Sequence, residues 1–179
     1  MATLQLDENL IIRMAANDGA AFRELYRQTS GVVYGFAMSI LRNKHDAEDV
    51  MHDAFIKIYQ SAVTYRPAGK PMAWILTIVR NLCLNKIRAG KVCEELSEYD
   101  DLAGSFSESE DALDRMVLEA AMSILDAEER QIVVLHAMAG FKHREIAELL
   151  DLPTGTVLSK YSRAMKKMRK EMESKGVER

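Results

Sequence analysis

The sequence is poor in residues that interrupt helices and in residues that staple small folds. Three prolines in 179 residues leave long stretches free to run as unbroken helix. Aromatic residues make up 7%, and no convincing alternation of apolar and polar positions occurs, which argues against a sheet-built core. Cys83 and Cys93 are the only cysteines, with no CxxC, and His45, His52, His136 and His143 form no ligand spacing. A disulfide framework and a zinc site are therefore not expected, and the two thiols read as reduced structural residues. No apolar run approaches the roughly 20 residues that cross a bilayer. The opening "MATLQLDENLIIRMAAND" places acids ahead of its apolar patch and has no basic lead, unlike a secretory signal, so the cytoplasm is the expected compartment. Catalytic arrangements are missing too: no paired carboxylates in a cleft, no nucleophile with a partner His, no phosphate loop. The chain reads as a non-enzyme with no cofactor, no metal and no small-molecule substrate.

What is present is helical periodicity and segregated charge. Hydrophobic residues make up 48%, ordinary for a folded chain, and eleven methionines favour helix. The formal net charge of -3 conceals a pattern: residues 1–90 carry +3, 91–115 carry -7, 116–141 carry -3 and 142–179 carry +4. From Ala54 to Cys93 there is no acid, while Lys57, Arg66, Lys70, Arg80, Lys86, Arg88 and Lys91 are all positive. Two basic regions flanking an acidic connector suit a chain whose ends meet a polyanion, chiefly nucleic acid.

The periodicity predicts an all-α fold of two small helical domains. Asp7–Ala16 reads as a short amphipathic segment. Asp18 caps a helix to about Gln28, and the nearly apolar Val32–Leu41 belongs to a core. Asp46 is expected to cap "DAEDVMHDAFIKIYQSA", with Asp46, Glu48 and Asp49 in its first turn. "TYRPAGKP" is a loop, and Pro71 opens "MAWILTIVRNLCLNKIR", with Trp74, Ile75, Ile78, Val79 and Leu82 for its core. Residues 91–114 are acidic and weakly periodic, the composition of a flexible linker. Beyond it, helices are expected over Asp111–Ile124, Ala127–Met138, Lys142–Leu150 and Thr154–Ser174, so the domains span 1–90 and 115–179.

The last two of these helices form a helix-turn-helix. Pro153 disfavours helix at Leu152, Thr154 is expected to cap the final helix, and Gly155 to allow close approach of the two. Val157, Tyr161, Ala164, Met168 and Met172 recur at helical spacing as a buried stripe. The other face carries Thr156, Ser159, Lys160, Arg163, Lys166, Lys167 and Lys170. A helix entering the major groove needs this division, with early residues at base edges and later cations on phosphates. In the first domain, Asp49, His52, Asp53 and Ile56 form one exposed stripe suited to docking. Thr77, Arg80, Asn81, Asn85 and Arg88 line one side of a basic helix, and Tyr65, Arg66 and Lys70 in the preceding loop suit a splayed base. Duplex and single-strand readout are not separable on these residues.

Taken in order, "FRELYRQTS", "DAEDVMHDAFIKIY", "WILTIVRNLCLNKIR" and "LDAEERQIVVLHAMAGFKHREIAELLDLPTGTVLSKYSRAMKKMR" resemble the extracytoplasmic-function (group IV) sigma factors of bacterial RNA polymerase, sigma-70 family, over about residues 7–173. The resemblance implies a promoter-specificity subunit. Asp49, His52, Asp53 and Ile56 would dock on the clamp helices of the largest core polymerase subunit. Tyr65, Arg66, Lys70, Thr77, Arg80, Asn81, Asn85 and Arg88 would open and read the -10 element of promoter DNA. Thr154, Thr156, Ser159, Lys160, Arg163, Lys166, Lys167 and Lys170 would read the -35 duplex, and the acidic linker would thread a basic channel meant for RNA. An anti-sigma factor is the implied regulator, able to hold the protein at the inner membrane face. The chain departs from the usual family pattern at His52, where Gln is common, and at "GTVLSK", where "GTVKSR" is usual. Two other classes compete: a stand-alone helix-turn-helix repressor, which would not need the first domain's motifs, and a sigma-like mimic of an anti-sigma target, which would lose its basic DNA faces.

Overall fold

The computed structural model describes residues 6–90 and 122–174, and among them the chain is helical with no strand. The elements are α1 (Asn9–Ala15), α2 (Gly19–Leu41), α3 (Lys44–Ser61), a 3-10 turn (Ala62–Thr64), α4 (Pro71–Arg88), α5 (Ala127–Ala137), α6 (His143–Leu150) and α7 (Thr154–Ser174). The fold is all-α, as the periodicity predicts. The linker and most of the helix expected over Asp111–Ile124 lie outside the described residues.

Local chemistry explains where the helices start and stop, and it corrects several expectations. Asp18 caps α2, its Oδ1 accepting from the backbone N–H of Ala20 at 2.9 Å and of Ala21 at 3.2 Å. That helix does not end near Gln28 but runs on through Thr29, Ser30 and Gly31 as one rod. Thr29 is buried, and its hydroxyl donates to the Leu25 carbonyl at 2.7 Å, so a poor helix former is satisfied inside the helix. The cap of α3 is Asn43 and not Asp46: Asn43 Oδ1 accepts from the Asp46 N–H at 3.0 Å. Asp46 is turned inward, where its Oδ1 lies 2.7 Å from Lys86 Nζ on α4.

The helix-turn-helix shows two further differences. Asp151 takes the left-handed conformation (φ 58°) that ends α6, and the Pro153 carbonyl accepts from Thr156 N at 2.9 Å and Val157 N at 3.1 Å. Thr154 is thus the first helical residue of α7 rather than its cap. Gly155 is not a close-approach residue, because a Cβ there would meet nothing within 4 Å. The glycine that matters for packing is Gly35, in the middle of α2, where a Cβ would stand 2.8 Å from Met138 Sδ.

The two helical units share one apolar core, which runs from Ile11, Leu25 and Phe36 through Phe55, Ile75 and Val79 to Ile132, Leu135, Ile146 and Val157. Helix α2 is the common wall, packed on α1, α3 and α4 on one side and on α5 on the other. Arg130 of α5 is buried at this seam, donating from Nη1 to the Leu125 carbonyl at 2.5 Å and from Nε to the Ser39 carbonyl of α2 at 3.4 Å. A guanidinium is suited to this place because its fixed fork satisfies two carbonyls of separate elements at once.

Candidate nucleic-acid interface

On α3 the apolar positions Val50, Ala54, Phe55 and Ile58 are buried. That leaves Asp49, His52, Asp53 and Ile56 together on the outer face, with Ile56 57% exposed. Asp49 is also tied down: its Oδ2 lies 3.0 Å from Lys86 Nζ, the same ammonium that holds Asp46. Lys86 is thus a strut between α3 and α4. Its hydrogen bonds and charge partners outweigh the opposing effect of burial, and its pKa is raised.

The basic face of α4 follows from the opposite pattern. Ile75, Leu76, Val79 and Cys83 are buried, and Thr77, Asn81, Asn85 and Arg88 are exposed on the other side. Trp74, placed in the core by the sequence reading, is only half-buried. Its ring lies 4.8 Å from that of Tyr65, so loop and helix share an aromatic pair beside this face. Exposed Arg66 follows Tyr65 directly. Glu8 fixes the loop: it accepts from the Tyr65 hydroxyl, from Ala68 N at 2.8 Å and from Gly69 N at 3.1 Å. These bonds, the tyrosine's first, hold the Glu8 carboxyl below its ordinary pKa, and burial with Glu8 pushes the Tyr65 phenol up. Glu8 is a positioning residue that the sequence reading missed, because its partners lie about sixty positions away.

Two cations of this group face protein. Lys70 Nζ donates to Glu148 Oε2 on α6 at 2.9 Å, and Arg80 Nη2 donates to the Leu150 carbonyl at 3.4 Å. Both partners belong to the first helix of the helix-turn-helix. Beside the Lys70 contact, a cleft of about 690 Å³ opens between the loop and α4 on one wall and Gly140, Phe141 and Glu145 on the other.

Helix α7 buries Val157, Ala164 and Met168. Tyr161 packs edge-on against the stacked rings of His136 and His143, 4.9 Å from each, which joins α5, α6 and α7. Thr154, Ser159, Arg163, Lys166 and Lys170 are exposed, and Thr156 is half-buried. Lys160 and Lys167 stand apart from them. Lys160 has 17% of its side chain exposed and lies 3.0 Å from Glu128 and 3.4 Å from Asp126; the bond to Glu128 raises its pKa. Lys167 Nζ lies 2.6 Å from Oε2 of Glu129, which is 1% exposed and closes the capping box of α5. The α5 acids therefore claim one flank of the basic helix.

Cys83 is fully buried, and burial pushes its thiol up to about 12, so it carries no thiolate near neutral pH. Cys93 lies outside the described residues. No helix among the described residues is long and apolar enough to cross a membrane.

Comparison with known proteins adds three kinds of likeness. The sigma-70 region 2 family model matches residues 25–92, and the sigma-70 region 4 model matches residues 115–168. The chain is 26% identical over 170 residues to the ECF RNA polymerase sigma factor SigL of Mycobacterium tuberculosis, covering 92% of this chain and 96% of that one. It is 33% identical over 165 residues to the ECF RNA polymerase sigma factor SigE of Mycolicibacterium smegmatis, covering 87% and 64%. Among solved structures, RpoE of Bartonella quintana, crystallised with the anti-sigma factor NepR, superposes with a TM-score of 0.67 at 24% identity, covering 88% of this chain and 98% of that one, a likeness of fold.

Proposed function

The chain belongs to the extracytoplasmic-function sigma factors of the sigma-70 family, and from that premise we propose that it binds core RNA polymerase and directs initiation at promoters with -35 and -10 elements. The observation that carries this reading is the separation of its surfaces. An acidic and apolar stripe, Asp49, His52, Asp53 and Ile56, stands on α3, while a polar face ending in the cation Arg88 stands on α4 and a cationic face on α7. Polymerase takes the first and DNA the other two. Region 2 (residues 1–90) docks and opens the -10 element, with Tyr65 and Trp74 offering rings on which an unstacked base can lie. Region 4 (115–179) reads the -35 duplex through α7. The acidic linker, 91–114, occupies a channel that later holds RNA. None of these roles involves catalysis.

Promoter engagement also requires rearrangement. Lys70 and Arg80 are engaged by Glu148 and Leu150 of α6, so region 4 must move off region 2 before both cations reach DNA. An anti-sigma factor, of the kind bound to the Bartonella RpoE, would act by favouring an arrangement in which the DNA faces stay covered.

The test is transcription in vitro with core bacterial polymerase and fragmented bacterial DNA, with and without the protein, mapping RNA 5′ ends. New starts that share sequences near -35 and -10 are expected. Core binding without new starts would point to a missing cognate polymerase or promoter, or to the mimic, and neither core binding nor new starts would favour the repressor.

A further inference from the structure

We infer that Leu158 is a sequence-reading residue of α7 and that it recognises the 5-methyl group of a thymine in the -35 duplex; this rests on the promoter-binding role proposed above. The residues of a recognition helix that reach base edges are those of its first turns. In α7 most side chains there are already committed. Val157 is buried, and Tyr161 packs on the two histidine rings. Lys160 is drawn back onto Asp126 and Glu128. The Ser159 hydroxyl donates its proton to the Thr156 carbonyl at 2.9 Å. Leu158 is 50% exposed and is the largest open side chain in these turns.

Its chemistry narrows what it can read. A leucine offers no donor or acceptor, so it cannot pair with the edges of guanine, adenine or cytosine. The one apolar feature in the major groove is the thymine C5-methyl. Removing Leu158 from water against that methyl is favourable, whereas setting it against an amino or carbonyl edge desolvates a polar group without replacing its hydrogen bond. In this helix the cation Lys160, in the second turn, is spent on the acids at the start of α5, and the apolar Leu158 stands open near it.

The experiment uses holoenzyme and a promoter recovered by the start-site mapping, with each -35 thymine replaced singly by deoxyuridine, which deletes only the methyl. One replacement is expected to weaken binding about fourfold, the weight of one buried methyl. The same replacement should have no effect on Leu158→Ala holoenzyme, whose affinity for the thymine promoter is already lowered. Because Leu158 is exposed, the variant should keep its helicity and its affinity for core polymerase. Uracil tolerated at every position, an equal loss in both proteins, or a -35 element without thymine would overturn the assignment. A Leu158→Ala protein that loses core affinity instead would place the residue, with its exposed neighbour Met165, on a protein contact and overturn it as well. Failure of wild-type holoenzyme to prefer the thymine promoter over unrelated DNA would remove the promoter-binding role itself and Leu158 with it.

Discussion

The basic helices α4 and α7 carry similar charge and keep it in different ways. On α4, Lys86 is held within its own unit by Asp46 and Asp49, while Arg80, with loop residue Lys70 before the helix, reaches across to the other unit. On α7 the division is by flank: Lys160 and Lys167 turn to the acids of α5, and Arg163, Lys166 and Lys170 stay exposed. The difference separates two uses of a cation. Pairing within a unit builds that unit and persists whatever it binds, whereas pairing between units lasts only while the units stay together.

The largest effect should come from the acidic face of α3, where Asp53 stands open and Asp49 is shared with Lys86. Charge reversal at Asp49 and Asp53 together is expected to weaken core polymerase binding on the order of 100-fold, since like charges would then face each other across the contact. Titration against labelled core checks this, with circular dichroism to confirm that helicity is kept. Asp53→Lys alone should retain most of the loss, because Asp53 is free of the Lys86 strut that Asp49 shares. Next, Arg80→Ala with Asn85→Ala should reduce promoter opening about tenfold while core binding changes little; permanganate footprinting of the -10 element reads the first quantity. Equal losses of the two would move α4 off the DNA.

Smaller effects sharpen the distinction between the two kinds of pairing. Glu148→Gln removes the acid that holds Lys70 across the seam. An exposed pair is screened by solvent, so promoter binding should rise by no more than a few-fold, with helicity unchanged. A decrease would mean that Glu148 serves the helix-turn-helix itself. Last, Lys166→Ala and Lys167→Ala should behave differently although they are neighbours. The first should flatten the salt dependence of promoter binding by about one unit of slope, with the melting temperature unchanged. The second should leave the slope nearly intact and lower stability by about 1 kcal/mol, because buried Glu129 loses its ionic partner and is left with the Asp126 N–H.

Much of the fold was legible because helices announce themselves locally. Asp18 as a cap, Pro71 at a first helical position and the stripe Val157, Ala164 and Met168 each depend on residues within a few positions of one another. Errors arose where a local rule had two solutions. Asn43 and Asp46 both suit the start of α3, and the choice fell to Asn43 because Lys86, forty positions on, draws Asp46 inward. Thr29, Ser30 and Gly31 look like a break, yet α2 passes through them because α3, α4 and α5 pack on it as one rod. For the candidate site, residue type and face were legible and availability was not: Lys160 and Lys166 read alike, and only the neighbouring α5 separates them.

The sequence alone therefore determined the all-helical class, the helix-turn-helix, the segregation of charge and the family. These rest on short-range periodicity and capping, and on ordered motifs that need no knowledge of which helices touch. Only the tertiary structure decided that Glu8 ties down the loop before α4, that Gly35 admits Met138, that Glu148 and Leu150 of α6 engage Lys70 and Arg80, and that Leu158 rather than Lys160 stands open on α7. The reason is that an ion pair or a close packing contact depends on distance in space. Residues thirty or more positions apart in the chain meet only after the helices have packed.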